Sequence, residues 1–305
     1  MTAHVRATAP TESFVVTDDG CRLWTARHEA ANAAPDVAAS DVAKPGPDSA
    51  AILCHGGPGF WDTLAPIAEL LAERGPAVRW DQRGGGRSQH QGPYTLHRFI
   101  ADLDAVRSVH QVDRPVLVGH SWGASLALQY FLACPDRVRS LIYIAGVGLS
   151  WDWRPEHNAA SARALAPAAA KLAALRALAR PTAGQQREAD VIRLLTEFPD
   201  RSAARGHVER LLSPYFVGDP AVNQALNAEM RGLTEADLIE RCRALPESVP
   251  VFLIDGALDP RPRWAVDSLA AALPNVRRVT LTAAGHLPWL DSPAEFAAAI
   301  REFVL

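Results

Sequence analysis

Val118-Gly119-His120-Ser121-Trp122-Gly123 joins an apolar run, Pro115 to Val118, to a segment with helical spacing, Trp122 to Ala133. A serine with glycines two residues to either side, set between a strand and a helix, suits a sharp turn. Such a turn lifts the hydroxyl clear of a sheet and strains its backbone, and the glycines let neighbouring backbone approach without Cβ clashes. At the chain's own glycine and serine frequencies the Gly-x-Ser-x-Gly pattern arises by chance about 0.06 times, before its strand–helix setting is required. The turn therefore reads as a nucleophile elbow carrying Ser121. His120 reads as structural, because a base must reach the serine from another loop.

Working outward, short apolar runs alternate with helical patterns. Ala50 to Cys54 precedes a helical stretch from Trp61 to Glu73, and Ala77 to Trp80 precedes one from Phe99 to His110. Leu141 to Ile144 follows the elbow helix. This alternation indicates βαβ units and a parallel sheet. Ahead of it, Phe14 to Thr17 and Cys21 to Thr25 flank Asp18-Asp19-Gly20 as a hairpin. Residues 30–49, mostly Ala, Pro, Asp and Ser, read as a mobile surface loop. From Ser150 to Pro246 the pattern is helical, divided by prolines and without a clear strand. It resumes with a strand at Val249 to Ile254, a helix near Trp264 to Leu273, a strand at Val276 to Leu281, and a last helix capped at Ser292-Pro293-Ala294-Glu295. The expected class is α/β, a mostly parallel sheet flanked by helices. Residues 1–148 and 249–305 form the core and residues 149–248 a helical insert.

Composition narrows the partners. Lys and Arg number 31 against 34 Asp and Glu, a net charge of −3, and no basic run exists, which argues against nucleic acid or an anionic membrane. No apolar stretch approaches the ~18 residues of a membrane helix, and Met1 to Pro10 shows no apolar signal core. Cys21, Cys54, Cys134 and Cys242 lie far apart, as reduced structural thiols would, so neither a metal cluster nor a disulfide framework is expected. The expectation is a cytoplasmic globular protein without metal or cofactor, acting on a small molecule or short peptide.

A serine hydroxyl needs a histidine base, and that base needs a carboxylate to fix its tautomer. In an elbow architecture the chain order is Ser, acid, His. His286, in Ala284-Gly285-His286-Leu287, follows the final strand and is the candidate base. For the acid, Ile254-Asp255-Gly256-Ala257-Leu258-Asp259-Pro260 offers two carboxylates. Asp259 has the Gly-x-x-Asp spacing that turns a loop toward the histidine; Asp255, at the strand end, is expected to bond local backbone. Oxyanion donors are expected from the N–H of Trp122 and from Gly57 in His55-Gly56-Gly57-Pro58-Gly59. His55 reads as a loop-ordering residue.

These residues resemble a known family. His55 to Gly59, Asp81-Gln82-Arg83-Gly84-Gly85-Gly86-Arg87-Ser88, Gly119 to Gly123, Gly256-x-x-Asp259 and Gly285-His286 are similar to the proline iminopeptidase branch of the α/β-hydrolase superfamily, a serine peptidase group. The likeness covers roughly residues 50–148 and 249–305. It implies the α/β-hydrolase fold, a Ser121–His286–Asp259 triad, oxyanion donors near Gly57 and Trp122, a helical cap made by the insert, and removal of N-terminal residues from peptides without cofactor. It also implies a structural role for the 81–88 loop, with Asp81 and Arg83 as an ordering pair.

The cap departs from that branch, whose glutamates bind the substrate ammonium, one within Glu-Asn-His-Tyr-Phe. The nearest stretch here, Leu212-Ser213-Pro214-Tyr215-Phe216, has leucine at the glutamate position. An ammonium in an apolar pocket without a counter-charge is strongly disfavoured. Asp152, Glu156 and Glu209 are candidate substitutes, each more simply a solvated helix charge. Trp151, Trp153, Trp264 and Trp289 either line an apolar cleft or pack insert on core. The expected chemistry is acyl-enzyme hydrolysis of a small peptide, amide or ester, with aminopeptidase activity of the proline iminopeptidase kind foremost. Alternatives are an esterase, lactonase or amidase of a specialised metabolite, or a non-hydrolytic ligand-binding relative. Epoxide hydrolases and dehalogenases need an aspartate where Ser121 stands.

Overall fold

A computed structural model describes residues 9–30 and 50–304. The stretch read as a mobile loop lies, apart from Ala30, outside the described residues. Eight strands, β1 (Thr11–Val16), β2 (Arg22–His28), β3 (Ala51–Cys54), β4 (Ala77–Trp80), β5 (Val116–His120), β6 (Ser140–Ile144), β7 (Val251–Gly256) and β8 (Val276–Leu281), form one sheet in the order β1-β2-β4-β3-β5-β6-β7-β8. The β1–β2 hairpin pairs antiparallel internally and onto β4, and every later pairing is parallel.

The central strands read as unbroken apolar runs because both faces are covered. Ile52, Cys54, Leu117, Leu141, Tyr143, Val251 and Leu253 pack into one core layer. Their neighbours Ala51, Leu53, Val116, Val118, Ile142, Ile144, Phe252 and Ile254 pack into the other. Alternate side chains of a strand point to opposite faces, so each strand feeds both layers.

Among the described residues three α-helices precede the insert: α1 (Ala65–Leu71), α2 (Leu96–Val109) and α3 (Trp122–Ala133). α3 is buried from Trp122 to Phe131, as an all-round apolar helix must be. α1 starts later than the expected Trp61. The Asp62 N–H donates to Asp81 Oδ1 at 2.7 Å and the Leu64 N–H to Asp62 Oδ1 at 3.1 Å. These bonds hold 61–64 as a loop, and Pro66 then suits the first helical turn.

Between β6 and β7 lie α4 (Arg154–Leu165), α5 (Ala169–Arg176), α6 (Ala183–Leu194), α7 (Arg201–Leu211), α8 (Pro220–Gly232) and α9 (Glu235–Arg243). Short 3₁₀ turns at Ala166–Ala168 and Leu195–Glu197 break the run. Side-chain caps start most of these helices: Thr182 with Gln185 as a capping box, then Asp200, Asp219 and Thr234. After β7, a 3₁₀ turn (Arg263–Val266) leads into α10 (Asp267–Ala272) where one continuous helix was expected, and α11 (Pro288–Asp291) and α12 (Pro293–Val304) close the chain. Among the described residues no helix is long and apolar enough to cross a membrane. Cys21, Cys54 and Cys242 are buried free thiols and Cys134 is partly exposed. Burial pushes Cys54 up to about 12 and Cys242 to about 11.

Candidate active site

Ser121 occupies the β5–α3 junction with φ 55° and ψ −120°, a conformation costing a non-glycine residue on the order of 1–3 kcal/mol. Its N–H is held by Ile144 O of the adjacent strand at 2.9 Å. The flanking glycines answer to close approach. A Cβ at Gly119 would lie 2.3 Å from Gly123 O, and one at Gly123 would lie 2.0 Å from Cys54 O. The Trp122 N–H belongs to the first turn of α3, where backbone donors lack intrahelical acceptors. Gly57, in the loop after β3, has φ 142° and lines the same cavity as Ser121.

The loops around these donors are tied together by neutral groups. The Gln82 N–H donates to His55 Nε2 at 3.0 Å, Gln82 Nε2 to His55 O at 2.8 Å, and Trp122 Nε1 to Gln82 Oε1 at 2.8 Å. Burial lowers the His55 pKa, which keeps that ring an acceptor. His55 thus orders loops, as expected. His120 is structural too. Its Nε2 meets His286 O at 2.9 Å and its ring packs edge-on against Trp289 at 4.7 Å. Burial holds it neutral, well below its ordinary value.

Asp81 and Arg83 are not a pair with each other, which corrects the expectation. Asp81 accepts from the Arg87 N–H at 2.8 Å and Arg87 Nε at 2.6 Å, besides the Asp62 N–H. Arg83, wholly buried, forks onto Asp102 at 2.6 and 2.7 Å and onto Asp19 at 2.9 and 3.0 Å. The loop is therefore locked at two places. Asp81 closes the turn on itself, and Arg83 ties it to α2 and to the β1–β2 turn.

His286 Nδ1 lies 2.7 Å from Asp259 Oδ2, which points Nε2 away as the free lone-pair nitrogen. Asp255 accepts instead from Arg278 Nε of β8 at 2.5 Å, so its partner is a neighbouring strand's side chain and not local backbone. Burial alone would raise the Asp259 pKa. The His286 ring and the Arg261 guanidinium outweigh it and hold the carboxyl well below the usual range. Arg261 approaches Asp259 Oδ1 with its backbone N–H at 2.8 Å and Nη1 at 3.3 Å. The same Nη1 lies 2.7 Å from Glu197 Oε2. One ligand-type atom each from Glu197, Asp259 and His286 fall within 4.8 Å of one another, but a guanidinium already donates into both carboxylates.

Ser121 and His286 both line a cavity of about 920 Å³ between the core loops and the insert. Gly57, Phe60 and Arg261 contribute from the core, and His157, Asp190, Glu197 and Tyr215 from the insert. Asp152, Glu156 and Glu209 are not among its lining residues, nor is the buried Leu212. Asp190 accepts from Tyr215 Oη at 2.9 Å. None of the four tryptophans lines the cavity among the described residues. Trp289 backs His120, Trp151 stacks near Trp153 at 6.0 Å, and Trp264 Nε1 donates to Glu156 of α4 at 3.0 Å. Glu197 and Arg261 had no distinctive signal. One is a charge in a helical stretch, the other an arginine two residues after an aspartate.

An elbow serine at the end of a parallel strand, a histidine after the last strand and a helical insert above them define a class. The alpha/beta hydrolase family matches residues 51–299, and this chain belongs to it. Among its relatives, the probable oxidoreductase EphD of Mycobacterium tuberculosis is 31% identical over 289 residues, 83% of this chain and 45% of EphD. The chain thus spans about half the length of that relative. A proline iminopeptidase of Heyndrickxia coagulans is 36% identical over 95 residues, 30% of this chain and 33% of its own. The structure of Mycobacterium smegmatis proline iminopeptidase superposes with a TM-score of 0.66 at 20% identity, covering 96% of this chain and 97% of that one. The likeness to the proline iminopeptidase branch and the α/β-hydrolase fold both stand on these matches.

Proposed function

We propose that this chain is a serine hydrolase working through an acyl-enzyme. Ser121 attacks the carbonyl, His286 Nε2 takes its proton, and Asp259 holds the imidazole and stabilises its charged form. The Gly57 and Trp122 N–H groups receive the developing oxyanion. His286 then passes its proton to the leaving amine or alcohol. A water activated by the same ring releases the acid. The insert, residues 149–248, is the cap that encloses the substrate. The 2.7 Å His286–Asp259 contact, on the wall of the cavity that holds a strained Ser121, carries this reading.

The substrate is a small peptide, amide or ester. Aminopeptidase activity of the proline iminopeptidase kind is supported by the sequence likeness. A second reading, an ester or a blocked amide, is favoured by the pairing of the cap carboxylates nearest the site. Glu197 shares the Arg261 guanidinium with Asp259, and Asp190 accepts from Tyr215 Oη. Fluorophosphonate labelling should vanish in Ser121→Ala and persist in Ser125→Ala; unchanged labelling of Ser121→Ala would refute the nucleophile. Pro-, Ala- and Leu-naphthylamides assayed beside their N-blocked forms and p-nitrophenyl esters separate the two substrate readings. Turnover confined to blocked amides or esters rejects the aminopeptidase.

A further inference from the structure

We infer that Glu197 and Arg261 are a positioning pair through which the helical insert sets the charge and orientation of the Asp259–His286 couple. This rests on the triad reading above and adds two residues that touch no reacting atom.

Glu197 ends the 3₁₀ turn Leu195–Glu197 of the insert and grips both the histidine loop and the Asp259 loop. Its carbonyl accepts the His286 N–H at 3.0 Å. Its carboxylate takes Arg261 Nη1 at 2.7 Å and Nη2 at 3.5 Å. Arg261 in turn occupies Asp259 Oδ1 and leaves Oδ2 for His286 Nδ1. The grip is close: a Cβ at Gly285 would sit 2.7 Å from Glu197 O and 2.8 Å from Pro199 Cδ. The insert therefore lies directly on the loop that presents the base, and the chain of contacts runs from insert backbone and side chain to both ends of the imidazole's support.

Charge makes the arrangement specific. One guanidinium between two carboxylates leaves the cluster with a single negative charge, which an imidazolium at position 286 neutralises. Both Glu197 and Arg261 are mostly buried, so water screens them weakly. Burial alone would raise Glu197, but Arg261 and His286 outweigh it and keep it ionised. The other groups facing His286 are His120 on β5, His157 on α4 and Asp291 on α11. Burial keeps both histidines neutral near pH 7, and Asp291 is bound to the Gly285 N–H at 2.8 Å. Arg261 also lowers both histidines and Glu197 raises His157, but burial is the largest cause for each ring and keeps it neutral whichever member of the pair is altered.

The test compares kcat/KM against pH in the intact chain, using whichever ester or naphthylamide it turns over. Glu197→Gln removes a negative charge and keeps the shape, so the midpoint should fall by about one pH unit. Arg261→Met leaves two carboxylates facing the imidazole and should raise it by a similar amount. The double variant restores the single negative charge and should return the midpoint toward wild type. Arg261→Lys keeps the charge but loses the fork, so it should lower kcat at an unmoved midpoint. Melting curves establish that each variant folds, and the nearly isosteric Glu197→Gln decides the matter if Arg261→Met does not. Unmoved midpoints in folded Glu197→Gln, or shifts of both single variants in one direction, would overturn the pair. If labelling is lost in Ser121→Ala while those midpoints stay put, the pair fails and the triad stands. Labelling that survives in Ser121→Ala defeats the triad reading itself.

Discussion

The tautomer of His286 is decided by one oxygen. With Asp259 Oδ2 2.7 Å from Nδ1, that nitrogen carries the proton and Nε2 is left basic on the cavity side. Asp259→Asn keeps the volume, but its amide can donate to Nδ1 and invert the tautomer, so kcat should fall by about 10³–10⁴ while KM changes little. A loss under tenfold would show that Asp259 does not orient the base. On the proposed mechanism, Ser121→Ala and His286→Ala should each cost orders of magnitude in kcat and add little when combined, because a shared proton transfer fails in either. Losses that multiply fully in the double variant would separate their roles. The positions of these three residues after strands were legible in the sequence: β5 and β7 are apolar runs, and β8, Val276 to Leu281, is an edge strand whose Val279-Thr280-Leu281 alternates before Gly285-His286. Glu197 was not. A glutamate in a proline-broken helical stretch looks like any solvated charge, and only the packing of 197–199 onto Gly285 reveals it.

At the scale of the element, the elbow works because the start of α3 lies closer to the ends of β5 and β3 than side chains allow. Gly123→Ala places a methyl 2.0 Å from Cys54 O and 2.6 Å from His55 O, both backbone atoms that cannot swing aside. The variant should lose about 1–3 kcal/mol in urea unfolding. It should also lose activity, since α3 presents both Ser121 and the Trp122 N–H. Gly232→Ala, at the end of α8, meets nothing within 4 Å and should be neutral or stabilising by up to about 1 kcal/mol. Equal stability of the two variants would refute the packing argument. Elements were legible where one pattern dominated: strands buried on both faces, and α3, apolar all round. They were misread where a tertiary hydrogen bond decided. Residues 61–64 carry helical spacing, yet Asp62 spends its N–H on Asp81 and its carboxylate on the Leu64 N–H, and the helix waits until Ala65.

For the whole molecule, the histidines set the response to acid. His28, His55, His110, His120 and His157 all have lowered pKa values, with burial the largest cause each time. His28 and His157 fall to about 4 from the ordinary 6.5. A lowered folded value means that the fold favours the neutral ring, so the stabilisation is complete above pH 6.5. Between 6.5 and 4 the unfolded chain binds protons that the folded chain refuses, and stability falls as pH falls. Each refused proton is worth about 1.4 kcal/mol per pH unit. Carboxylates such as Asp104, held down to about 2 despite burial by Arg107, Tyr130 and Arg137, add their losses only below pH 4. The melting temperature should therefore decline from pH 7 to pH 5, before carboxylates held low such as Asp104 titrate; Asp102, Asp255 and Asp291, raised by burial, soften that decline because the fold favours their protonated forms. His28→Gln can keep an acceptor for Arg79 Nε, which meets His28 Nε2 at 2.9 Å, and should flatten part of that decline. A melting temperature that holds constant or rises from pH 7 to pH 5 would mean that these rings are not held neutral by the fold.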